Sequence, residues 1–599
     1  MGSSAKMSHF QQMAADFRAC HTNPVNVALH MVTTPAGILG ALCLLNAAHA
    51  AGAVLSCALA GLYAMALIYQ LPLRLWAANA LAMACLAGAA TALPLSVLQA
   101  AALLVVSYVG QEAAHIITGE VTYQSTYIKA AGGLAQLGMH TYYLLPLCLD
   151  ASTRCHWLSV WFVAHNDVLT CKLESPEEQE AMGALTRWVV SQSPSTEHTT
   201  HWWYTSLPAA AHAAFKTVVE SPAISAMFAA RFPTCAYTVQ PIPEMNEIYI
   251  ASDKHSLNSD TVFYMEHVDG PWVLYPFCHV YRCMCSMNEN KQILTEFGQV
   301  PSAALLSNGT VAALDFNREI HNIANHPTDR NTGHRITLKN HYVVYPTVLG
   351  AYGRGLARLT LLYNYGARRL FLNTIKTSSL ASRAGAFFVL ACTKGMFLAQ
   401  QYLGIPNLVY LAIVAAIDAL LLPGCRFFLI ATSFIHYAMY MAHYYRRYGL
   451  AHGTFVRNAV FFKFVAVSQL GALYLRHWEF DPISLALLVA GYGLSSAAAA
   501  RIGLDRTYFG AEMGIYKPRW IEGFPYSLGI PHPMIVGSAT GLLGFYKLAG
   551  LRAEVPWLVP LHIALYATHC LQEHFEIHSP VSWEDATQGL LVPPFQGRD

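Results

Sequence analysis

Two histidines and an aspartate near the middle of the sequence have the residue types and spacing of a metal site. His267 and Asp269 are separated by one residue in a predicted strand, where alternate side chains lie on the same face. His321 lies two predicted strands further on and is the best third ligand. Two imidazoles and one carboxylate on one side of Fe(II) leave the other positions of the metal open to oxygen and substrate. Arg335, which opens the last predicted strand, has a planar fork of donors suited to a carboxylate.

The order of these residues resembles the Fe(II)/2-oxoglutarate oxygenases, particularly the aspartyl/asparaginyl hydroxylase-like jelly rolls, over about residues 240–346. The resemblance implies iron bound by His267, Asp269 and His321, and 2-oxoglutarate held by its carboxylate on Arg335. The interval from His321 to Arg335 is slightly longer than the family's, so Arg330 is an alternative to Arg335. Asp269 also opens an Asp-Gly-Pro sequence, which reads equally as a turn.

A second group of histidines lies in the first 120 residues. His21 is followed by Asn23 and Pro24, a cap residue and a proline at the first helical position, so a helix is predicted to begin there. His30 lies on this helix, and His115 follows the fourth apolar stretch. Other polar residues accompany these histidines: Asn26, Gln111 and Glu120. Together they could form a metal site at a membrane surface.

The motif from His21 to His30, with Thr34-Pro35 after it, is similar to small endoplasmic-reticulum proteins that include the 2-hydroxy fatty acid dioxygenase of α-oxidation, over about residues 10–150. The resemblance implies that His21, His30 and His115 are iron ligands. The later cluster only loosely echoes the family's Gly-His and Phe-Glu pattern. A structural copy without iron is the alternative, because buried histidines are often hydrogen-bonded to neighbouring helices.

The last third of the chain combines a glycine pair with an ordered polar string. Gly491-Tyr-Gly493 interrupts an apolar helix, a string from Tyr508 to Ser538 follows, and the last helix ends with Gln572 and Glu573. The order Tyr508-Phe-Gly, Trp520-Ile, Phe524-Pro-Tyr, Pro533-Met and Gly537-Ser resembles the phospholipid N-methyltransferase family, over about residues 425–580.

This resemblance implies that Gly491, Gly493 and Glu573 hold S-adenosylmethionine. Glycines let the backbone approach a bulky cofactor, and a carboxylate can bind its amino group or ribose and offset its sulfonium charge. Gln572 departs from the family pattern, which has an acid there. His532 could accept the proton that an ammonium headgroup loses before methylation, so His532 and Glu573 are the catalytic candidates. The alternatives are a close helix contact for the glycine pair and an ordinary loop position for His532.

The elements that must position these groups belong to a membrane protein. Of 599 residues, 55% are hydrophobic and only 12% are charged, about half of the usual charged share of a soluble domain. The 36 basic and 34 acidic residues nearly cancel to +2, which gives no support for a nucleic-acid partner. The N-terminal residues lack the order of a cleaved secretory signal, so internal helices are expected to direct membrane insertion.

Apolar stretches of spanning length, about 20 residues each, fall into two groups separated by a polar region. They cover residues 28–48, 52–70, 76–97, 98–117, 129–149, 384–402, 405–422, 425–445, 456–475, 483–503, 533–550 and 556–572. Between the groups, short strands are predicted at 261–267, 272–275, 280–285, 310–314 and 335–345, for which a jelly roll is the natural closure.

The predicted fold is therefore a polytopic α-helical membrane protein with an inserted soluble β domain. We divide it into a helical membrane module (1–151), a connecting segment (152–236), a jelly-roll domain (237–346) and a second helical membrane module (347–599). The first functional hypothesis is N-methylation of phosphatidylethanolamine-type lipids in the endoplasmic reticulum membrane, coupled in one chain to the oxygenase-like domain. The alternatives are a membrane-anchored hydroxylase with structural membrane modules, and a non-enzymatic lipid-binding scaffold.

Overall fold

The structure is a computed structural model, and its described residues form two compact units. One unit comprises Met1–Phe162 with Leu422–Cys425, and the other Val163–Leu421 with Arg426–Asp599. The described residues are 9–49, 51–122, 133–153, 157–162, 168–194, 200–251, 266–271, 275–289, 293–297, 302–304, 307–325, 335–375, 379–424, 426–445, 451–513, 515–517, 519 and 521–576.

The first unit is built from helices. They are α1 (His9–Ala19), α2 (Pro24–Ala48), α3 (Gly52–Ala66), α4 (Leu73–Ala92), α5 (Val97–Thr118), α6 (Gly133–Ser152) and α7 (Leu158–Phe162). The predicted start of α2 is confirmed, because the Asn23 side chain accepts a hydrogen bond from the backbone N–H of Val25 and Pro24 is the first helical residue. Helix α5 begins at a capping box formed by Ser96 and Gln99.

The second unit opens with a mixed region of helices and strands. In chain order these are β1 (Leu169–Lys172), α8 (Pro176–Ser191), β2 (Thr200–Trp203), α9 (Ala209–Val219), α10 (Pro222–Arg231), β3 (Tyr237–Pro241), β4 (Glu247–Ala251), β5 (His279–Ser286), β6 (Ile293–Phe297), β7 (Ser302–Ala304), β8 (Thr310–Asp315), β9 (His321–Asn325) and β10 (Arg335–Pro346). The strands form a seven-stranded sheet in the order β1-β8-β5-β10-β4-β2, with β3 also paired to β10, and a three-stranded sheet in the order β7-β6-β9.

The sequence predicts that 152–236 is only a connecting segment. The structure shows instead that this segment is part of the folded β region. Its strands β1 and β2 are hydrogen-bonded to β8 and β4 in the larger sheet. Its helices carry fully buried residues, Leu185, Phe215 and Phe228, in one core with Ile248 and Tyr281 of the strands. The helices bury these apolar faces against the sheet, so the segment belongs to the same folded body.

Three of the predicted strands are found, whereas of the described residues at the ends of the other two, Glu266 and Tyr275 are not in a strand and His267 forms only an isolated bridge. Residues 280–285, 310–314 and 335–345 lie within β5, β8 and β10. Residues 261–265 and 272–274 lie outside the described residues. The finding is an antiparallel sheet region between helical regions.

Helices follow the sheets to the end of the described chain. They are α11 (Gly350–Ile375), α12 (Leu380–Tyr402), α13 (Ile405–Leu420), α14 (Phe427–Ser433), α15 (Ile435–Tyr445), α16 (His452–Arg476), α17 (Pro482–Ile502), α18 (Leu504–Thr507), α19 (Pro533–Lys547), α20 (Ala549–Glu554) and α21 (Leu558–Glu576).

Five of the helices in the described residues are long and apolar enough to cross a membrane, which indicates a membrane protein. These helices are α2, α4, α5, α16 and α17. Helices α12 and α13 meet the same test only as a pair and are bent by 75° at their junction. Some predicted spans are shorter than expected: residues 425–445 are divided at Phe434 into α14 and α15, and α3 ends at Ala66, before Pro72.

Candidate metal centres

The backbone of the β region places His267 directly beside His321. His321 is the first residue of β9, and the two residues form an isolated antiparallel bridge. The N–H of each donates to the carbonyl of the other, at 2.9 Å from His267 and 3.0 Å from His321. Directly opposed residues project to the same face of a sheet, and the ring centroids of the two imidazoles lie 4.5 Å apart.

Asp269 completes the cluster that the sequence predicted. Its Oδ1 lies 3.8 Å from His267 Nε2, and its Oδ2 lies 3.4 Å from His321 Nε2. One ligand atom from each of the three residues can be chosen so that all lie within 4.8 Å of one another. Asp269 and Gly270 lie in a bend, and the N–H of Gly270 donates to Phe316 O at 2.7 Å, so a change of chain direction here does not exclude Asp269 as a ligand.

The charges around Asp269 keep it in the form that binds a cation. Burial alone would raise the pKa of this carboxyl, but Arg282 and the two histidines outweigh burial and hold the pKa well below its usual range. Arg282 Nη1 lies 2.6 Å from Asp269 Oδ1, whereas Asp269 Oδ2 accepts no hydrogen bond from any residue that the structure describes. A charged carboxylate with a spare oxygen is suited to a divalent metal.

His321 has the protonation state and ring orientation that a metal ligand needs. Burial lowers its pKa to about 3, so the ring is neutral at physiological pH, as metal binding requires. Its Nδ1 lies 3.1 Å from the carbonyl of Glu319, which places the ring proton on Nδ1 and leaves Nε2 as the ligand atom.

Arg335 is buried on the side of the metal cluster. Its guanidinium donates to the hydroxyls of Thr295, at 3.0 Å, and Thr337, at 3.4 Å. Thr295 lies opposite Ile323 in the smaller sheet, and Phe297 lies opposite His321. Alternate side chains share a face, so Thr295 and His321 project to the same side. Arg330, the alternative, lies outside the described residues.

Charged and titratable residues that were not predicted from the sequence surround the cluster. Arg282 Nε donates to His341 Nε2 at 2.9 Å. Beside them, Glu247 accepts from Lys339 at 3.3 Å and from His201 at 3.0 Å. The available signal was the occurrence of lysine, asparagine and histidine at 339–341 directly before the apolar run 342–345, since buried charges are usually paired.

Glu247 should make stability depend on acid pH. Burial would raise its pKa, but Lys339 and His201 outweigh burial and hold the pKa well below the usual value. A depressed folded-state pKa stabilises the fold above the unfolded-state value, and this contribution is lost as the pH falls through the folded-state value. We expect Glu247→Gln to cost about 3 kcal/mol at pH 7, as for a broken buried pair, and to flatten the loss of stability below about pH 4.

Thermal unfolding followed by scanning fluorimetry at several pH values measures both effects. Glu289→Gln is the control, because Glu289 is exposed. Equal acid dependence in Glu247→Gln and the unchanged protein would contradict the assignment.

The three N-terminal histidines also meet, within the first unit. The ring centroids of His21, His30 and His115 lie 4.6 to 5.0 Å apart, and ligand atoms from all three lie within 4.8 Å of one another. His21 Nδ1 lies 2.7 Å from the carbonyl of Phe17, and His30 Nδ1 lies 3.0 Å from the carbonyl of Asn26. With Nδ1 of His21 and His30 engaged in these hydrogen bonds, the Nε2 atom of each ring is the one that can coordinate a metal.

Helix ends hold this cluster together. Glu120 accepts hydrogen bonds from the backbone N–H groups of Thr22 and Asn23, at 2.7 and 2.9 Å, and from the Asn26 amide at 2.7 Å. An anionic side chain at the start of α2 is favoured by the helix dipole. A cavity of about 20 Å³ lies among the histidines, enough for one ion or water. His140, which the sequence analysis missed, lines the same cavity.

Removal of one N-terminal histidine should remove one metal ion. After anaerobic purification with iron, we expect about two irons per chain in the unchanged protein and about one in His30→Ala. A site of three histidines loses most of its affinity for the metal when one of them is removed. Mass spectrometry of metal content measures the ratio. His49→Ala, an exposed position in the same unit, should keep both irons. Unchanged iron content in His30→Ala would favour the structural alternative.

The predicted cofactor residues of the C-terminal region are only partly brought together. Gly491 is buried where α17 meets α19, and a Cβ there would lie 2.3 Å from the backbone nitrogen of Gly541. Gly493 faces open space. His532 is exposed and caps α19 with a φ of 47°. Glu573 lies in α21, and its side chain is outside the described part of the chain. The close helix contact accounts for Gly491, and the assignment of these residues to S-adenosylmethionine stays a prediction.

Comparison of the chain with known proteins identified no relative. No family model, no curated protein and no solved structure matches the chain.

Proposed function

We propose that the chain is a membrane-anchored Fe(II)/2-oxoglutarate-dependent hydroxylase whose metal is held by His267, Asp269 and His321. The observation that carries the proposal is the arrangement of these three side chains, with ligand atoms within 4.8 Å of one another and one Asp269 oxygen that accepts no hydrogen bond from the described residues. Two imidazoles and one carboxylate suit Fe(II) with open positions. The two antiparallel sheets are compatible with the jelly roll that the sequence favours.

Each surrounding residue has a defined task in this proposal. Arg282 binds one oxygen of Asp269 and so directs the other oxygen toward the metal. The carbonyl of Glu319 orients the ring of His321 through Nδ1. Arg335, on the same side as His321, would bind the distal carboxylate of 2-oxoglutarate with its guanidinium. Iron, when bound, would let O₂ act as the oxidant, with one oxygen atom going to the substrate and the other to 2-oxoglutarate, which leaves as succinate and CO₂.

Turnover of 2-oxoglutarate tests the proposal. Full-length protein in lipid nanodiscs, loaded with Fe(II), should release succinate from 2-oxoglutarate when membrane lipid extracts are supplied. Arg335→Lys should raise the KM for 2-oxoglutarate more than it changes kcat, because lysine keeps the charge but loses the two-pronged geometry. Absence of succinate from protein that holds iron at His267 and His321 would refute the proposal.

The proposal includes lipid substrates and residence in the endoplasmic reticulum membrane. Five helices of spanning length support a membrane location, and the histidine cluster of the first unit offers a second iron site for lipid oxidation. Co-fractionation with markers of that membrane tests the location.

S-adenosylmethionine-dependent N-methylation of phosphatidylethanolamine-type lipids is the second candidate. The observation that favours it is a buried polar group between α15 and α21. Tyr437 Oη lies 3.0 Å from His562 Nδ1, and Gln572 donates to the carbonyl of Met441 at 3.1 Å. Polar side chains inside an apolar bundle usually line a functional cavity. Transfer of label from S-adenosylmethionine to ethanolamine lipids tests it, and protein with bound cofactor that transfers no label would refute it.

A further inference from the structure

Helix α11 joins the sheet region to the bent apolar pair α12 and α13, and its composition differs from both. Its 26 residues include four arginines and no acidic residue. It is not among the helices of the described chain that are apolar enough to cross a membrane. Several arginines make a position across the bilayer unfavourable, although apolar helices follow α11 directly.

One face of α11 is fixed to the sheet region. Leu356 is buried in one core with Val343 and Tyr345 of β10. The guanidinium of Arg368 donates to the carbonyl of Met245 at 2.7 Å, so this arginine already has a partner within the protein. These contacts determine which face of the helix points away from the sheet.

The other face of α11 exposes large apolar side chains. Leu359 and Leu362 are each 59% exposed. With 3.6 residues per turn, the exposed apolar residues form one stripe about 100° wide along the helix, as in amphipathic helices. The stripe consists of Tyr352, Leu359, Leu362, Tyr363 and Leu370.

Three arginines lie along one edge of this apolar stripe. Arg354, Arg358 and Arg369 are exposed, and helical geometry places them on the side of the stripe next to Leu362. None of the three forms an ion pair with a residue that the structure describes. An exposed apolar patch with charge at its rim marks an interaction surface. A bilayer surface with anionic lipids complements both parts, because acyl chains accept the apolar stripe and the headgroups attract arginine.

Helix α11 lies on the same face of the larger sheet as the histidine–aspartate cluster. His341 of β10 alternates with Val343 and Tyr345, so its side chain projects to the face that α11 covers. Arg282 joins His341 to Asp269. Helices α8, α9 and α10 cover the opposite face of the sheet. A membrane that contacts α11 therefore lies on the side of the cluster.

We infer that α11 lies in the surface of an anionic membrane, with its apolar stripe among the acyl chains and Arg354, Arg358 and Arg369 at the headgroups. This position removes the stripe from water and gives the arginines negatively charged partners. It also holds the face of the sheet that carries the histidine–aspartate cluster toward the membrane. The inference does not rest on the proposed hydroxylase activity, because it concerns only where the helix lies.

Quenching by spin-labelled lipids tests this position in full-length protein in lipid nanodiscs. A fluorescent amino acid that is excited apart from tryptophan replaces Leu362. In the control it replaces Ala226, an exposed residue of α10 on the opposite side of the sheet. The quencher is a phosphatidylcholine with a nitroxide near the top of its acyl chain. We expect strong quenching at position 362 and none at position 226.

The same nitroxide on phosphatidylserine measures the preference for anionic lipid. At equal content of the two quenchers, we expect about fivefold preference for phosphatidylserine at position 362, as one contact between a basic side chain and an anionic surface provides. Arg354→Gln combined with Arg358→Gln should remove most of this preference. Arg187→Gln combined with Lys216→Gln, at exposed positions of α8 and α9, should leave it unchanged.

Two results would overturn the inference. Equal quenching at positions 362 and 226 would show that α11 does not contact the membrane, and a blue shift of the probe at 362 only in discs that hold two chains would then identify a second copy as the partner of this face. Equal quenching by the two lipids, or the same lipid preference in both pairs of substitutions, would show that the arginines do not bind anionic headgroups.

Discussion

Asp269→Asn is expected to weaken Fe(II) binding in the β region by about 100-fold or more and to abolish iron-dependent succinate release. Loss of partners that only orient a metal ligand costs 10–100-fold in affinity, and Asp269 is proposed to be a ligand itself. The amide keeps the size of the side chain but removes the negative charge that pairs with Arg282, at 2.6 Å. Titration of the anaerobic protein with Fe(II), with the N-terminal site removed by His30→Ala, measures the effect.

Asp315→Asn is the matched control for this substitution. Asp315 is 1% exposed and lies 3.2 Å from His279, so it is another buried histidine–aspartate pair in the same sheet region. Its pKa is also held below the usual value by His279 and Arg318, against the effect of burial. We expect this variant to lose stability but to bind iron normally when folded. Iron binding by Asp269→Asn equal to that by Asp315→Asn would contradict the metal assignment.

The sequence predicted the two histidine clusters on different grounds: strand alternation for His267 and Asp269, and the resemblance to a dioxygenase family for His21, His30 and His115. The alternation of a strand brings His267 and Asp269 to one face, and the helix that begins at Pro24 carries His30 toward His21. The third member of each cluster, His321 or His115, depends on pairing between distant segments.

Residues whose role arises only from packing across the fold could not be predicted in this way. Arg282 lies on β5 and meets Asp269 through space, and no spacing in the sequence indicates that pair. The sequence likewise does not indicate what the apolar faces of α8, α9 and α10 pack against, because the sheet that covers them forms from distant segments. For this reason the segment 152–236 reads as a connection although it supplies part of the core.

The two glycines of the α17 motif lie in different surroundings. Gly491 lies against α19, where a Cβ would be 2.3 Å from Gly541 N and 2.6 Å from the carbonyl of Gly537. Gly493, two residues on, is exposed and a Cβ would meet no atom within 4 Å. The motif was predicted to approach a cofactor, but the space beside Gly491 is filled by a neighbouring helix. Any cofactor contact by the pair therefore depends on Gly493.

Gly491→Ala should destabilise the helical bundle, and Gly493→Ala should not. The added methyl group at Gly491 meets backbone atoms that cannot rotate away, so α17 and α19 must separate, at a cost of about 1–3 kcal/mol or more. At the exposed Gly493, alanine has no steric cost and removes backbone freedom, so the helix gains up to about 1 kcal/mol. Thermal unfolding in detergent or nanodiscs compares the two variants.

Binding of S-adenosylmethionine by the same two variants then separates packing from cofactor recognition. If Gly493 lets the backbone approach the cofactor, Gly493→Ala should weaken binding about tenfold without loss of stability, as expected when a close backbone approach is blocked. Equal stability of Gly491→Ala and Gly493→Ala would contradict the helix contact. Unchanged cofactor affinity in a stable Gly493→Ala would instead remove the glycine pair from the cofactor site, and support for methyl transfer in this bundle would then rest on the polar group between α15 and α21.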